Sequence, residues 1–169
     1  DTIKIKLDCS KLARCDYVLL FNQFTDLEPV KSQDFSRYEY IVTNITGQFL
    51  DGFELTDCDD IESWIASQRE LGQQIRCKVC AFLVTAFRKR NQYDSALAIL
   101  KTWHDLDEYN EDVCQQRIEL SAQIGDFKQA REIYNYYAEK LEHELNVTPS
   151  IELKSLMNRI ELSSVGKQT

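Results

Sequence analysis

An all-α fold built from antiparallel helix pairs is what this sequence predicts, and three observations carry the prediction. Glycine and proline number only five and two in 169 residues, too few to punctuate the many turns of a β-sandwich but enough to separate long helices. Apolar residues recur at spacings of three and four over most of the length, as one buried helix face requires. Two stretches, beginning at Asn91 and Gly125, repeat one another at an offset of 34 residues, a period that belongs to stacked helix pairs.

With 43% apolar and 11% aromatic residues, the chain can form one core. The expected organisation is a single domain over residues 1–162, with N-terminal helices and a connector over 1–56 and a helix-pair core over 57–162. Residues 163–169 lack apolar periodicity and are expected to be a frayed tail.

Residues 2–7 alternate apolar and polar and predict a short strand, the one exception to helix. Leu12, Ala13, Val18, Leu19, Leu20 and Phe24 predict a helix from Ser10, a candidate cap, to Phe24. Phe35, Tyr38, Ile41, Val42 and Ile45 predict another over 34–45. The stretch from Gly47 to Leu55 breaks the pattern around Asp51-Gly52 and is a connector. Asp57, Asp59 and Asp60 then suit a helix N-terminus, where the macrodipole favours negative charge. From Trp64 through Phe87 the spacing predicts a long helix reaching Lys89, with Gly72 as a candidate break. Four helices complete the chain, over 94–104, 110–123, 127–145 and 150–161. Asn91, Gly125 and Asn146 stand at the breaks, each a residue type suited to the left-handed conformation that ends helices. Thr148 is the expected cap of the last helix, with Pro149 at its first position.

The internal repeat is chemically consistent. Tyr93/Phe127, Ala96/Ala130, Leu100/Tyr134 and Trp103/Tyr137 all keep the same offset. An aromatic fills the gap between paired helices, alanine lets them approach, and the later large residues meet the next repeat, which is the logic of a tetratricopeptide (TPR) array.

Trp64, Arg69-Glu70-Leu71, Leu106-Asp107 with Glu111, Gly125-Asp126 with Ala130 and Tyr134, and Leu141 with Glu144-Leu145-Asn146-Val147-Thr148-Pro149-Ser150 together resemble the bacterial transcriptional activator domain. That is the TPR-like part of the Streptomyces antibiotic regulatory protein (SARP) family of transcription factors. The resemblance covers roughly residues 47–161, with Leu7-Asp8 and the following helix a looser match to the domain's start. Glu108 stands where the family usually has proline, and Asn146 where it usually has glycine. The resemblance implies a winged-helix DNA-binding domain ahead of residue 1, which would make residues 2–7 its exit or the first element of the activator domain. It also implies regulatory contacts through this module: self-association, or contact with other domains or the transcription machinery.

Charge agrees with a protein partner. Lys plus Arg number 20 against 28 Asp plus Glu, a net charge of -8, which repels a phosphate backbone. Direct nucleic-acid contact by this segment is therefore not expected. No apolar run approaches the ~20 residues that span a bilayer, and the opening residues lack a signal-peptide core, so no membrane association and a cytoplasmic location are expected. Six cysteines, Cys9, Cys15, Cys58, Cys77, Cys80 and Cys114, show no disulfide framework and fit reduced thiols. The sequons at Asn44 and Asn146 are then chance.

No catalytic set or cofactor motif stands out. Cys77 and Cys80 have metal-ligand spacing but no second pair, and fall inside a helix. His104 and His143, the two histidines, have no nucleophile placed beside them by a known motif. The acidic cluster of Asp57, Asp59, Asp60 and Glu62 has a capping explanation, and no glycine-rich phosphate loop exists. Tyr134, Tyr136 and Tyr137 beside Arg131 and Lys140 suggest base stacking, but two of them already have repeat-packing roles.

What remains is a surface. The first helix of each TPR pair lines the concave groove, which assigns Lys78, Ala81, Thr85, Arg88 and Lys89 to one wall and Asp112, Gln115, Glu119 and Gln123 to the next. A basic wall facing an acidic and amide wall suits an extended or helical peptide. Three functions follow: a regulatory module of a SARP-like transcription factor, a free-standing TPR adaptor, and a helical enzyme or ligand sensor, the last disfavoured by the missing catalytic set.

Overall fold

The computed structural model describes residues 35–45, 47–53 and 58–165. The expected strand over 2–7, the helix from Ser10 to Phe24, and residues 166–169 of the tail lie outside them. Six helices follow one another: α1 Phe35–Asn44, α2 Asp59–Lys89, α3 Tyr93–Leu106, α4 Glu111–Gln123, α5 Phe127–Leu145 and α6 Ile151–Val165. They pack as sequential pairs, with no strand among the described residues, so the structure is the expected all-α, TPR-like array. The chain divides into two compact units, one ending at Val79 and the other beginning at Cys80.

In the first unit, α1 buries Tyr38, Ile41 and Val42, and Ile45 just after it is buried too, the three-and-four spacing seen in the sequence. The connector after it holds a tight turn, in which Leu50 and Gly52 take positive φ of 51° and 73° and the Phe53 N–H donates to the Leu50 carbonyl at 3.1 Å. A leucine in that conformation is strained, and Arg69 of α2 holds it there. Its Nε donates to the Phe49 carbonyl at 2.8 Å and its Nη2 to the Leu50 carbonyl at 2.7 Å. Trp64 adds an edge-on contact to the Phe49 ring, 5.6 Å between centroids. Trp64 and Arg69 thus fasten the connector to α2. Gly72 does not break that helix, which runs unbroken from Asp59 to Lys89. A mid-helix glycine costs only about 1 kcal/mol relative to alanine, less than the burial of neighbouring Ile75 and Val79 supplies.

In the second unit the repeat extends to individual hydrogen bonds. The Asn91 N–H donates to Arg88 and the Gln92 N–H to Phe87, while 34 residues on Gly125 donates to Ala122 and Asp126 to Ser121. Ala96 to Gln92 and Ala130 to Asp126 form a third matched pair. Asn91, Gly125 and Asn146 take positive φ of 56°, 88° and 54°, the left-handed breaks expected of them. Asn110 and Asp126 cap α4 and α5, accepting the N–H of Val113 at 3.2 Å and of Gln129 at 2.9 Å. The cap of α6 is Ser150, whose Oγ accepts the Leu153 N–H at 3.0 Å, and not Thr148. Pro149 therefore precedes the helix, and the Thr148 hydroxyl accepts from Lys154 Nζ instead, at 2.8 Å. The helix also runs on through Ser163 and Ser164 to Val165, where both hydroxyls bond back to carbonyls three or four residues earlier.

The core beneath α5 and α6 joins Cys114, Ile118, Ala130, Tyr137, Leu141, Leu153 and Met157, with Phe127, Ile133 and Tyr134 packed at its edge. Ala96 and Ala130 are both completely buried, at the same step of their helices. Ala96→Leu and Ala130→Leu should each overpack the core, costing about 1–3 kcal/mol. Thermal melting checks this: parent-like transitions in both variants would show that close approach at these positions is not needed.

Candidate functional site

The sequence-assigned groove residues lie on two helices. Lys78 is exposed on the part of α2 that belongs to the first unit. In the second unit, Thr85 and Lys89 are exposed and Arg88 half-buried on the last turns of α2, with the Thr85 hydroxyl donating to the Ala81 carbonyl at 2.9 Å. On α4, Asp112 and Gln123 are exposed, while Gln115 and Glu119 are half-buried. The structure joins the last two directly, Gln115 Nε2 donating to Glu119 Oε1 at 2.9 Å. Gln115 also lines an open cleft of about 340 Å³ whose other side is α6, with Ile151, Glu152, Ser155, Leu156 and Arg159. The α4 wall is thus partly committed to its own helix and to α6.

Sequence reasoning missed a second polar cluster, at the turn from α3 to α4. Lys140 of α5, its side chain only 12% exposed, pairs with Glu108, reaches Glu144 at 3.8 Å and lies 5.4 Å from the Tyr109 ring centroid. The Tyr109 hydroxyl donates to Glu144, and the buried Tyr137 donates to the Tyr109 carbonyl at 3.0 Å. The hydrogen bond to Lys140 holds the Glu108 carboxyl below its usual range, and the same bond raises Lys140. Hydrogen bonding to Glu144 and then burial raise Tyr109. The signal available in the sequence was Glu108 itself, a carboxylate at the turn that reaches across to α5.

A third arrangement surrounds His104, which is 6% exposed and whose Nδ1 has no hydrogen-bond partner. Arg117 of α4, Asp105 and Glu108 nearby in sequence, and Lys140 of α5 act on it electrostatically, and the Tyr136 ring meets it edge-on, 6.3 Å between centroids. Burial first and Arg117 second depress its pKa. Burial likewise lowers Arg117.

Burial pushes the Cys114 thiol up to about 12, which removes the thiolate that a nucleophile or metal ligand needs. Cys58, Cys77 and Cys80 form no disulfide either, and Cys80 is fully buried. Among the described residues no three His, Cys, Asp or Glu side chains are grouped to hold a metal ion, and no helix is long and apolar enough to cross a membrane. Of the three clustered tyrosines, Tyr137 is buried and Tyr134 packs against the core, leaving Tyr136 as the exposed one.

Helix pairs stacked at a 34-residue period, with matched turns and open polar faces, define a helical-repeat protein of the TPR type. The chain belongs to the bacterial transcriptional activator domain family, whose model matches residues 46–161. That domain is a non-catalytic regulatory domain found in SARP-family transcriptional activators, and no enzyme family is indicated. No curated protein and no solved structure matches the chain.

His104 makes stability depend on pH in a stated direction. The folded state holds the imidazole neutral to a lower pH than the unfolded chain, whose histidine titrates near 6.5. The unfolded state therefore binds more protons as pH falls below about 6.5, and stability is lost in that window. The melting temperature should drop between about pH 7.5 and pH 5.5, and His104→Phe should flatten that slope. Equal slopes in parent and variant would show that the imidazole titrates as in water.

Proposed function

We propose that this chain is the regulatory protein-interaction module of a SARP-like bacterial transcription regulator. In the complete protein a winged-helix DNA-binding domain would precede it, in the cytoplasm, and it would work without catalysis or cofactor. The family match over residues 46–161 carries this reading. The net charge of -8 and the polar helix faces support a protein partner over nucleic acid. Contact with other domains of the regulator or with the transcription machinery would use the face around Thr85, Arg88 and Lys89 of α2 and Asp112, Gln115, Glu119 and Gln123 of α4. Opposite charges there would steer encounter and set register more than they raise affinity.

Arg88→Glu together with Lys89→Glu should reduce reporter output of the full-length regulator several-fold. The melting temperature should change little, because substitutions at or near the surface usually cost within about 0.5 kcal/mol. Unchanged output would mean that this face is merely solvated. The isolated chain should also fail to retard a specific DNA duplex at ~0.15 M salt, and tight, sequence-specific retardation would refute the module reading.

A further inference from the structure

Helix α6 has two faces, and only one is used inside the second unit. Leu153, Leu156, Met157 and Ile160 are buried in the core shared with α4 and α5. At ~100° per residue, Ile151, Ser155, Asn158 and Leu162 lie on the opposite side. Ile151 and Leu162 are 78% and 77% exposed, the two most exposed large hydrophobic residues described. Their spacing of four, three and four is that of a heptad seam, the pattern by which one helix packs on another. Charged residues border the seam on both edges, Glu152 and Arg159 along one and Lys154 and Glu161 along the other.

We infer that this face is where two copies of the chain meet, α6 packing antiparallel on α6 about a two-fold axis. The charge pattern selects both the partner and the direction. A register that sets Ile151 against the partner's Leu162 is centred between Leu156 and Met157, and the same register sets Ser155 against the partner's Asn158. One edge then brings Glu152 to the partner's Arg159, centred one residue earlier, and the other brings Lys154 to the partner's Glu161, centred one residue later. Both edges are attractive twice over, because the axis repeats each pair. A parallel arrangement would instead bring each edge to the partner's opposite edge, setting Lys154 against the partner's Arg159 five residues on, and like charges so placed oppose pairing.

The small Ser155 at the middle of the seam permits close approach. The open cleft beside Glu152 and Arg159 leaves room for the partner's long side chains. Lys154 already donates to Thr148 and Glu161 already pairs with Arg131 at 3.2 Å, so the Glu152–Arg159 edge is the more responsive one. A single helix pair is smaller than a standard stable interface, so association should be reversible, with a dissociation constant on the order of 10 µM or weaker.

The test is sedimentation of the 169-residue chain across concentration, with circular dichroism to show that each variant keeps its helices. The parent should form a dimer, and Ile151→Asp with Leu162→Asp should abolish it. Glu152→Arg alone and Arg159→Glu alone should each weaken it about tenfold, since each creates two like-charge contacts. Combining the two in one chain should restore it, a rescue that only an antiparallel register allows. A parent that stays monomeric up to several hundred µM, a dimer indifferent to the apolar substitutions, or charge variants that are not rescued in combination would each overturn the proposal. Arg88→Glu with Lys89→Glu leaves α6 untouched and should leave this dimer intact, so failure of the α6 contact and failure of the regulatory face are read separately.

Discussion

Helix α4 packs at once on α3, α5 and α6, and the second unit is arranged around it. Val113, Cys114, Ile118, Leu120 and Ser121 of this 13-residue helix are each no more than 1% exposed. A helix this short has little stability of its own in water, so its neighbours hold it. Covering a helix from several directions also buries polar groups that must find partners. Ser121 donates to Gln129 of α5 at 3.0 Å, and Glu111 accepts the Ser150 N–H at 3.1 Å, at the start of α6. The polar residues of α4 thus position the helices on either side of it.

The same constraint accounts for the clamp on the α3–α4 turn. For α4 to enter the core at the right height, the turn before it must be held, and Lys140, Tyr137 and Glu144 of α5 hold it through Glu108 and Tyr109. A proline at position 108 would stiffen the turn by fixing φ. The carboxylate found here uses an ion pair to the neighbouring helix instead. His104 is confined by this packing, one turn before the clamp and under the field of Arg117, which is why its protonation is tied to the integrity of the helix pairs.

Much of the fold was legible in the sequence because the physics that sets it is local. Residues 127–145 were read as a helix to the residue, since Asp126 caps one end and Asn146 takes the left-handed conformation at the other. The 34-residue offset held down to the turn hydrogen bonds, because identical turn geometry demands similar residues at similar steps. Where local rules compete, the reading slipped. Thr148 and Ser150 both cap well, and Glu111, distant in sequence, accepts the Ser150 N–H and marks where α6 begins. Gly72 was a candidate break whose cost the surrounding burial outweighs.

The candidate surfaces show the sharper division. Helical register alone determined that Thr85, Lys89, Asp112 and Gln123 face outward, because 3.6 residues per turn fixes which side chains share a face. Tertiary structure alone decided that Gln115 lines a cleft against α6, that Lys140 is drawn under Tyr109, and that α6 turns Leu153, Leu156 and Met157 inward while Ile151 and Leu162 stay in water. Composition and period are properties of one helix at a time, whereas which of two amphipathic faces is covered depends on neighbours far along the chain.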